Sequence, residues 1–196
     1  MKKIVGLIAA AIIITLLLSV FKFNDGAKTI EEAIAGPNSK PFNIIHIEEM
    51  QKDCIVFYTH SGEDSLSTAV VTKGLGGYKT VYSGVQGDIT LSSEISGLTY
   101  VYFPAIQRTS LPIYFGVIGN PEISQVRVVE KERDFKGDAK IIEANGKRLW
   151  LMHMIHFQGS KFTIIGLSAD GKELARIEDD IAPFYAEQKP FKSPYQ

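Results

Sequence analysis

Cys54-Ile55-Val56-Phe57-Tyr58-Thr59, followed by His60-Ser61-Gly62-Glu63-Asp64 and then Leu66-Ser67-Thr68-Ala69-Val70-Val71-Thr72, decides the fold. Both outer runs are rich in branched and aromatic residues, which suit a pleated, half-buried surface, and the stretch between them is polar and carries a glycine. That is strand, turn, strand. Lys73-Gly74-Leu75-Gly76-Gly77 is a second glycine-rich reversal, where a side chain would clash at positive φ, and residues 78–83 follow as a further strand. Upstream, residues 42–47 have the same character. Ahead of them Thr29-Ile30-Glu31-Glu32-Ala33-Ile34-Ala35 reads as a brief helix, with Thr29 as cap, Glu32 three residues on as its capping-box partner, and Gly36-Pro37 as its stop.

The second half continues in this style. Residues 98–103 and 113–118 flank a loop, and Gly119-Asn120-Pro121 turns into residues 123–129. Asn145-Gly146 separates strands at 139–143 and 148–155, Asp170-Gly171 separates strands at 162–167 and 173–177, and residues 157–161 form another reversal. Strands recurring at about ten-residue spacing predict an antiparallel sandwich or barrel and leave no room for crossover helices, so an α/β nucleotide-binding fold is disfavoured. Alternation puts Tyr100 and Tyr102 on one face with Leu98, and Val101 and Phe103 on the other. A strand apolar on both faces must be covered on both, by a sandwich partner or by a docking partner.

Before all of this, Lys2 and Lys3 precede an apolar run from Ile4 to Phe21, which Lys22 closes. At about 1.5 Å per residue the run makes a helix of roughly 27 Å, close to the hydrocarbon thickness of a bilayer. Signal-peptide cleavage needs small residues at the last and third-last positions; a cut after Ala27 would set Asp25 in the second of these, so an uncleaved anchor is expected. Acylation is disfavoured, because the only cysteine, Cys54, lies far downstream. Lys2 and Lys3 hold the N-terminus in the cytoplasm and send the rest out.

The expected organisation is therefore mainly β, with an N-terminal transmembrane helix (residues 1–23) and an antiparallel β-rich ectodomain. The ectodomain divides into a small helix plus β-meander (24–106), a sandwich-like part (107–182) and an extended tail rich in Pro, Lys and aromatics (183–196). The expected location is the cell membrane, single-pass, with the C-terminal domain extracellular.

Charge and cysteine content narrow the partners. The whole chain carries a net charge of −1, and without Lys2 and Lys3 the outer region keeps a small acidic excess and no basic stripe. Nucleic-acid binding needs a phosphate-neutralising surface, so that class is excluded. One cysteine cannot form an internal disulfide, and Cys54 reads as a small buried hydrophobe.

His153 and His156 would share a helix face, but on a strand three-apart residues point to opposite sides; His46 and His60 are further donors that nothing in the sequence brings to them. Gly74-Leu75-Gly76-Gly77-Tyr78-Lys79-Thr80 resembles a phosphate loop only superficially, because Tyr78 fills the slot that needs glycine and a strand follows. Ser61, Ser65 and Ser83 sit in no nucleophile elbow, and His60 with Glu63 and Asp64 reads as a polar hairpin tip. The expected catalytic, metal and cofactor sets are all empty. Tyr78, Tyr100, Tyr102 and Tyr114 are read first as core, with stacking on a sugar or a protein as the alternative.

Ile55-Val56-Phe57-Tyr58, Ala69-Val70-Val71-Thr72-Lys73, Gly77-Tyr78-Lys79 and Ser83-Gly84 together resemble the ectodomains of small uncharacterised membrane-anchored envelope proteins of Bacillus-type Gram-positive bacteria. Val126-Arg127-Val128 followed by residues 164–174 is similar to the closing hairpins of β-sandwich modules in such proteins. The resemblance implies no catalytic residue. The function expected is a non-enzymatic, membrane-anchored extracytoplasmic binding or interaction module of the cell envelope, taking an envelope protein or a cell-wall polymer. The alternative is an envelope hydrolase or metal-dependent enzyme with residues assembled from distant strands.

Overall fold

A computed structural model describes residues 12–15, 26–36, 39–88, 94–181 and 187–188. Strands β1 (Phe42–Glu49), β2 (Asp53–His60), β3 (Ser65–Gly74) and β4 (Gly77–Asp88) form a four-stranded antiparallel meander in chain order. A second sheet takes β5 (Val101–Phe103), β7 (Ile113–Val117), β10 (Lys140–Ala144) and β11 (Lys147–His153) in the order β10-β11-β7-β5. A third takes β8 (Gln125–Glu130), β9 (Phe135–Asp138), β12 (Lys161–Leu167) and β13 (Glu173–Asp180) in the order β13-β12-β8-β9. Two short strands, β6 (Ala105–Ile106) and β14 (Glu187–Gln188), pair in parallel, so the only described part of the expected extended tail is ordered against the body.

The three sheets stack, with the second in the middle. Its Val101, Phe103, Ile113, Phe115, Val117, Ile142, Leu149 and Leu151 pack on Ile55, Phe57, Leu66 and Val70 of the first sheet. Its alternate residues, Tyr114 and Trp150 with half-buried Tyr100, Tyr102 and Ile141, pack on Val126, Val128, Phe162 and Ile164 of the third. Period-two alternation thus serves two cores from one sheet, and every residue of β7 is buried. The outer face of the first sheet is covered in turn. Cys54, Val56, Tyr58, Ala69 and Val71 pack under Ile30, Ala33 and Ile34 of the short helix Ile30–Ile34. Fully buried Leu, Ile, Val and Phe side chains such as Phe57, Phe115 and Phe162 contribute roughly 1.5–3 kcal/mol each, so this double stack carries the stability that disulfides do not supply.

Local chemistry fixes the joints. Thr29 caps the helix by accepting from the Glu32 N–H at 3.1 Å, and the Glu32 carboxylate accepts from the Lys28 N–H at 2.8 Å, one residue before the cap. Asn145 and Gly146 have φ of 50° and 72°, the pair that a two-residue type I′ turn demands. Asp170-Gly171 forms a wider loop: the Gly171 N–H donates to the Ser168 carbonyl, the Ser168 N–H donates to the Lys172 carbonyl, and only Gly171 is left-handed, at φ 84°.

Four expectations are revised. The strand expected over 98–103 shortens to β5, because the Thr99 carbonyl is taken by the Trp150 indole Nε1 at 2.8 Å; Leu98 keeps only a bridge to Ile118. Gly116 lies beside this junction, where a Cβ would come 1.9 Å from the Thr99 carbonyl oxygen. The strand expected to reach residue 155 ends at His153, since the Met154 N–H turns to the Pro112 carbonyl and the Phe157 N–H closes a turn on Met154. β13 runs past residue 177 to Asp180, and β9 was not foreseen. Across position 106, β5 pairs with β7, and one core cluster holds residues from both sides.

Of the expected membrane helix only residues 12–15 are described, and these are helical and exposed; the remainder of 1–23 lies outside the described residues. Among the described residues no helix is long and apolar enough to cross a membrane.

Candidate functional site

The free edges of β1 and β10 border an open groove of about 950 Å³. Lys40, Pro41, Phe42, Asn43, Ile44 and Ile45 line it together with Glu31, Ser39, Thr59, Asn145 and Lys147. Among the described residues β1 pairs with β2 alone, so it is an edge strand with backbone donors and acceptors along its other side. The ladder slips between Ile44 and His46, a bulge at Ile45. One extra residue flips the strand's parity: Phe42 and Ile44 face the helix before it, Ile47 faces the helix after it, and Ile45 packs into the core between the first two sheets.

Polar contacts hold the groove at both ends. Asn145 Nδ2 donates to the Ile44 carbonyl at 3.4 Å, Lys147 Nζ lies 3.6 Å from Asp64, and Lys40 Nζ lies 2.6 Å from Glu63. The Lys40–Glu63 hydrogen bond raises the lysine's pKa and lowers the glutamate's. Further along β1, the Glu48 carboxylate accepts from Lys140 Nζ at 2.7 Å on each oxygen and meets His46 Nε2 at 3.1 Å. Burial pushes Glu48 up, but Lys140 and His46 outweigh it and hold the carboxyl below its usual range. What remains is a half-apolar trough with a strand edge along it and Lys40, Lys147 and Glu31 on its lining. An exposed strand edge beside such a trough has the geometry that strand addition uses.

A second polar centre lies between the second and third sheets. Asp179 faces inward on β13, in the row with Ile177 and Ile181, and accepts from Tyr100 Oη at 3.1 Å and from Tyr114 Oη. The Tyr102 ring packs tilted against Tyr114, with centroids 5.0 Å apart. Burial and then Asp179 push Tyr102 up to about 12, and burial with the Asp179 hydrogen bond also raises Tyr114, whose side chain is fully enclosed. These tyrosines stay neutral donors at any ordinary pH, so the cluster glues two sheets.

A third centre, Glu130, has its side chain 1% exposed. It accepts from Arg133 Nε at 2.5 Å and Nη2 at 2.6 Å and from the Gln158 N–H at 3.1 Å, tying the β8–β9 turn to the 154–160 loop. The Arg133 hydrogen bonds hold its carboxyl down at about 2.

The residues weighed from the sequence are scattered. His46 is on β1 beside Glu48, His60 packs edge-on to Phe42 and Tyr58, His153 ends β11, and His156 lies in the following turn with its carbonyl accepting from Arg133. His153 and His156 are separated by a turn at Met154 and not by the alternation of a continuous strand. Among the described residues no three of His, Cys, Asp and Glu group as a metal site. Glu63 and Asp64 engage Lys40 and Lys147 rather than forming a relay with His60. Ser65 Oγ donates to Glu63 at 3.4 Å, and Gly74 to Gly77 is a hairpin turn. Cys54 is buried under the helix, where burial, then Asp53 and Glu49, push its thiol up to about 11. Comparison of the chain with protein-family models, with curated proteins and with solved structures returned no match.

Proposed function

We propose that this protein is a single-pass, membrane-anchored binding module of the cell envelope. Its β-body stands outside the cytoplasmic membrane and takes up an extended segment of a partner polypeptide along the free edge of β1. The anchor reading rests on the apolar run from Ile4 to Phe21 flanked by Lys2 and Lys3. The observation that carries the binding reading is the edge itself. Among the described residues β1 has no strand on its outer side, a groove of about 950 Å³ runs beside it, and apolar Pro41, Phe42, Ile44 and Ile45 line it together with polar Asn43 and Asn145. Backbone pairing supplies affinity in strand addition, and such a lining supplies side-chain pockets.

The test uses the full chain in its native membrane with a photo-crosslinker at Asn43, which is exposed, and as a control at Ser83, which is exposed on the opposite edge strand β4. The reading predicts a discrete polypeptide adduct from Asn43 that is absent from Ser83. Equal labelling from both positions, or hydrolase turnover that disappears with one histidine substitution, contradicts it.

A further inference from the structure

The chain just after the apolar run is stitched to one hairpin tip. The Gly26 N–H donates to the Gly76 carbonyl at 2.9 Å, and Ala27 and Tyr78 exchange N–H donors and carbonyls at 2.8 Å in each direction. The two backbones meet too closely for side chains. A Cβ on Gly26 would come 2.4 Å from the Gly76 oxygen, and one on Gly77, whose φ is 114°, would come 2.3 Å from the Ala27 oxygen. This contact is therefore built by glycine on both sides.

Only Asn24 and Asp25 separate Gly26 from Phe23, where the expected anchor ends. Three residue steps of about 3.6 Å span at most roughly 11 Å. The headgroup layer on each side of a bilayer is roughly 5–8 Å thick. If the apolar run spans lipid, the tip at Gly74–Gly77 has nowhere to be but at the membrane surface. That tip carries Leu75, which is 90% exposed, the most exposed large apolar side chain among the described residues. An apolar residue at a tight turn, where any polar residue would serve, is a liability in water and an asset in an interface.

Charge at the same end agrees. Lys73 lies over the Tyr78 ring at 5.2 Å, and the neighbouring β1–β2 turn brings Lys52 to the rim of a cavity of about 410 Å³ shared with Lys73, Tyr78, Met50, Glu49 and Ile30. Among the described residues Lys28, Lys52, Lys73 and Lys79 form no ion pair, as also holds for Lys136, Lys161 and Lys172 elsewhere, so at this end it is the position of Lys52 and Lys73 beside the tip that counts. Glu49 lines the same cavity, so the attraction to anionic lipid is local rather than a broad basic face.

We infer that the β3–β4 hairpin tip is a second, non-covalent membrane contact: Leu75 inserts into the lipid interface while Lys52 and Lys73 sit over anionic headgroups. Together with the Gly26–Gly76 stitch this fixes the body's orientation, holding the sheet's hairpin end down and the far end of β4 up. The inference rests on the anchor reading above. Two contacts instead of one flexible tether would present the β1 edge to partners at a set height.

The test reconstitutes the full chain in vesicles of phosphatidylcholine with and without phosphatidylglycerol. An environment-sensitive fluorophore is attached at Leu75→Cys or, as control, at Val85→Cys, which is 66% exposed and about 25 Å further along β4. Cys54 is buried with a raised thiol pKa and is spared by brief labelling near neutral pH. The expected result is at least threefold stronger quenching by shallow nitroxide lipids at position 75 than at position 85. Phosphatidylglycerol should increase it, and Lys52→Gln with Lys73→Gln should remove that increase. If the chain stays with the vesicles through alkaline washing but both positions are quenched equally, the hairpin contact is overturned and the anchor reading stands. If the chain washes off, both are overturned.

Discussion

Trp150 and Thr99 are joined across the central sheet by a hydrogen bond from the indole Nε1 to the Thr99 carbonyl at 2.8 Å, with Gly116 wedged between them. The same threonine donates its N–H to the Val117 carbonyl and accepts the Val117 N–H on its Oγ1, so one residue replaces a length of strand ladder. The joint is wholly buried, and no water can substitute for a lost partner. Replacing Gly116 with Ala puts a Cβ 2.7 Å from the indole nitrogen as well as on the carbonyl. We expect Gly116→Ala to cost at least about 3 kcal/mol, as overpacking combined with a broken buried hydrogen bond. Trp150→Phe should cost about 2–4 kcal/mol. Both are measured by urea unfolding; a loss under about 1 kcal/mol for Gly116→Ala would mean that the sheets slide freely at this point.

Asp179 lies among apolar neighbours because tyrosines pay its desolvation. Tyr114→Phe keeps the ring and removes one donor to a charged acceptor, an expected loss of about 1.5–3 kcal/mol. The linkage to pH has a definite sign. Tyr102 and Tyr114 have folded pKa values above the unfolded value near 10, so their contribution is intact below pH 10 and is lost as pH rises toward 12. Absorbance titration of tyrosinate should show these rings, with Tyr58 and Tyr100, ionising at higher pH in the folded chain than in the chain unfolded in urea. Simultaneous ionisation of every tyrosine near pH 10 in the folded chain would contradict the cluster.

Glu130 gives the acid counterpart. Its folded pKa of about 2 lies below the unfolded value near 4.3, so the stability it contributes is present at neutral pH and is lost as pH falls through that window. Glu130→Gln should remove part of the acid slope of unfolding free energy between about pH 5 and 2. An unchanged slope would show that the Arg133 pair does not form in solution.

Cys54 should behave as a packing residue. With its thiol at about 11, only about a thousandth is thiolate at pH 8, and the helix covers it. Maleimide should label the folded chain at least a hundredfold more slowly than the chain in urea.

Much of the architecture was legible because its signals are local. Asn145-Gly146 supplied a turn that only two left-handed residues make, and the Thr29 and Glu32 pair marked the helix start. Alternation placed Tyr100 and Tyr102 opposite Val101 and Phe103, and the two sets do face different cores. What was not legible depends on distant partners. β9 reads Phe135-Lys136-Gly137-Asp138, polar and interrupted by glycine, and is a strand only because β8 lies beside it. Glu178-Asp179-Asp180 looks like a solvated strand end, yet Asp179 turns inward to tyrosines 79 and 65 residues away. The groove joins Ile44 to Asn145, a separation of 101 residues, and no pattern in either segment announces the other.

The central claim is that the apolar run holds this β-body on the outer side of a membrane. Its most direct measurement is fractionation of cells expressing the untagged full chain, followed by alkaline extraction and by protease treatment of intact protoplasts. The account predicts that the chain stays in the membrane pellet at full length and that external protease removes the β-body while leaving a short membrane-protected N-terminal fragment. Recovery of the intact chain in the cytosol, or complete protection until the protoplasts are lysed, would contradict it.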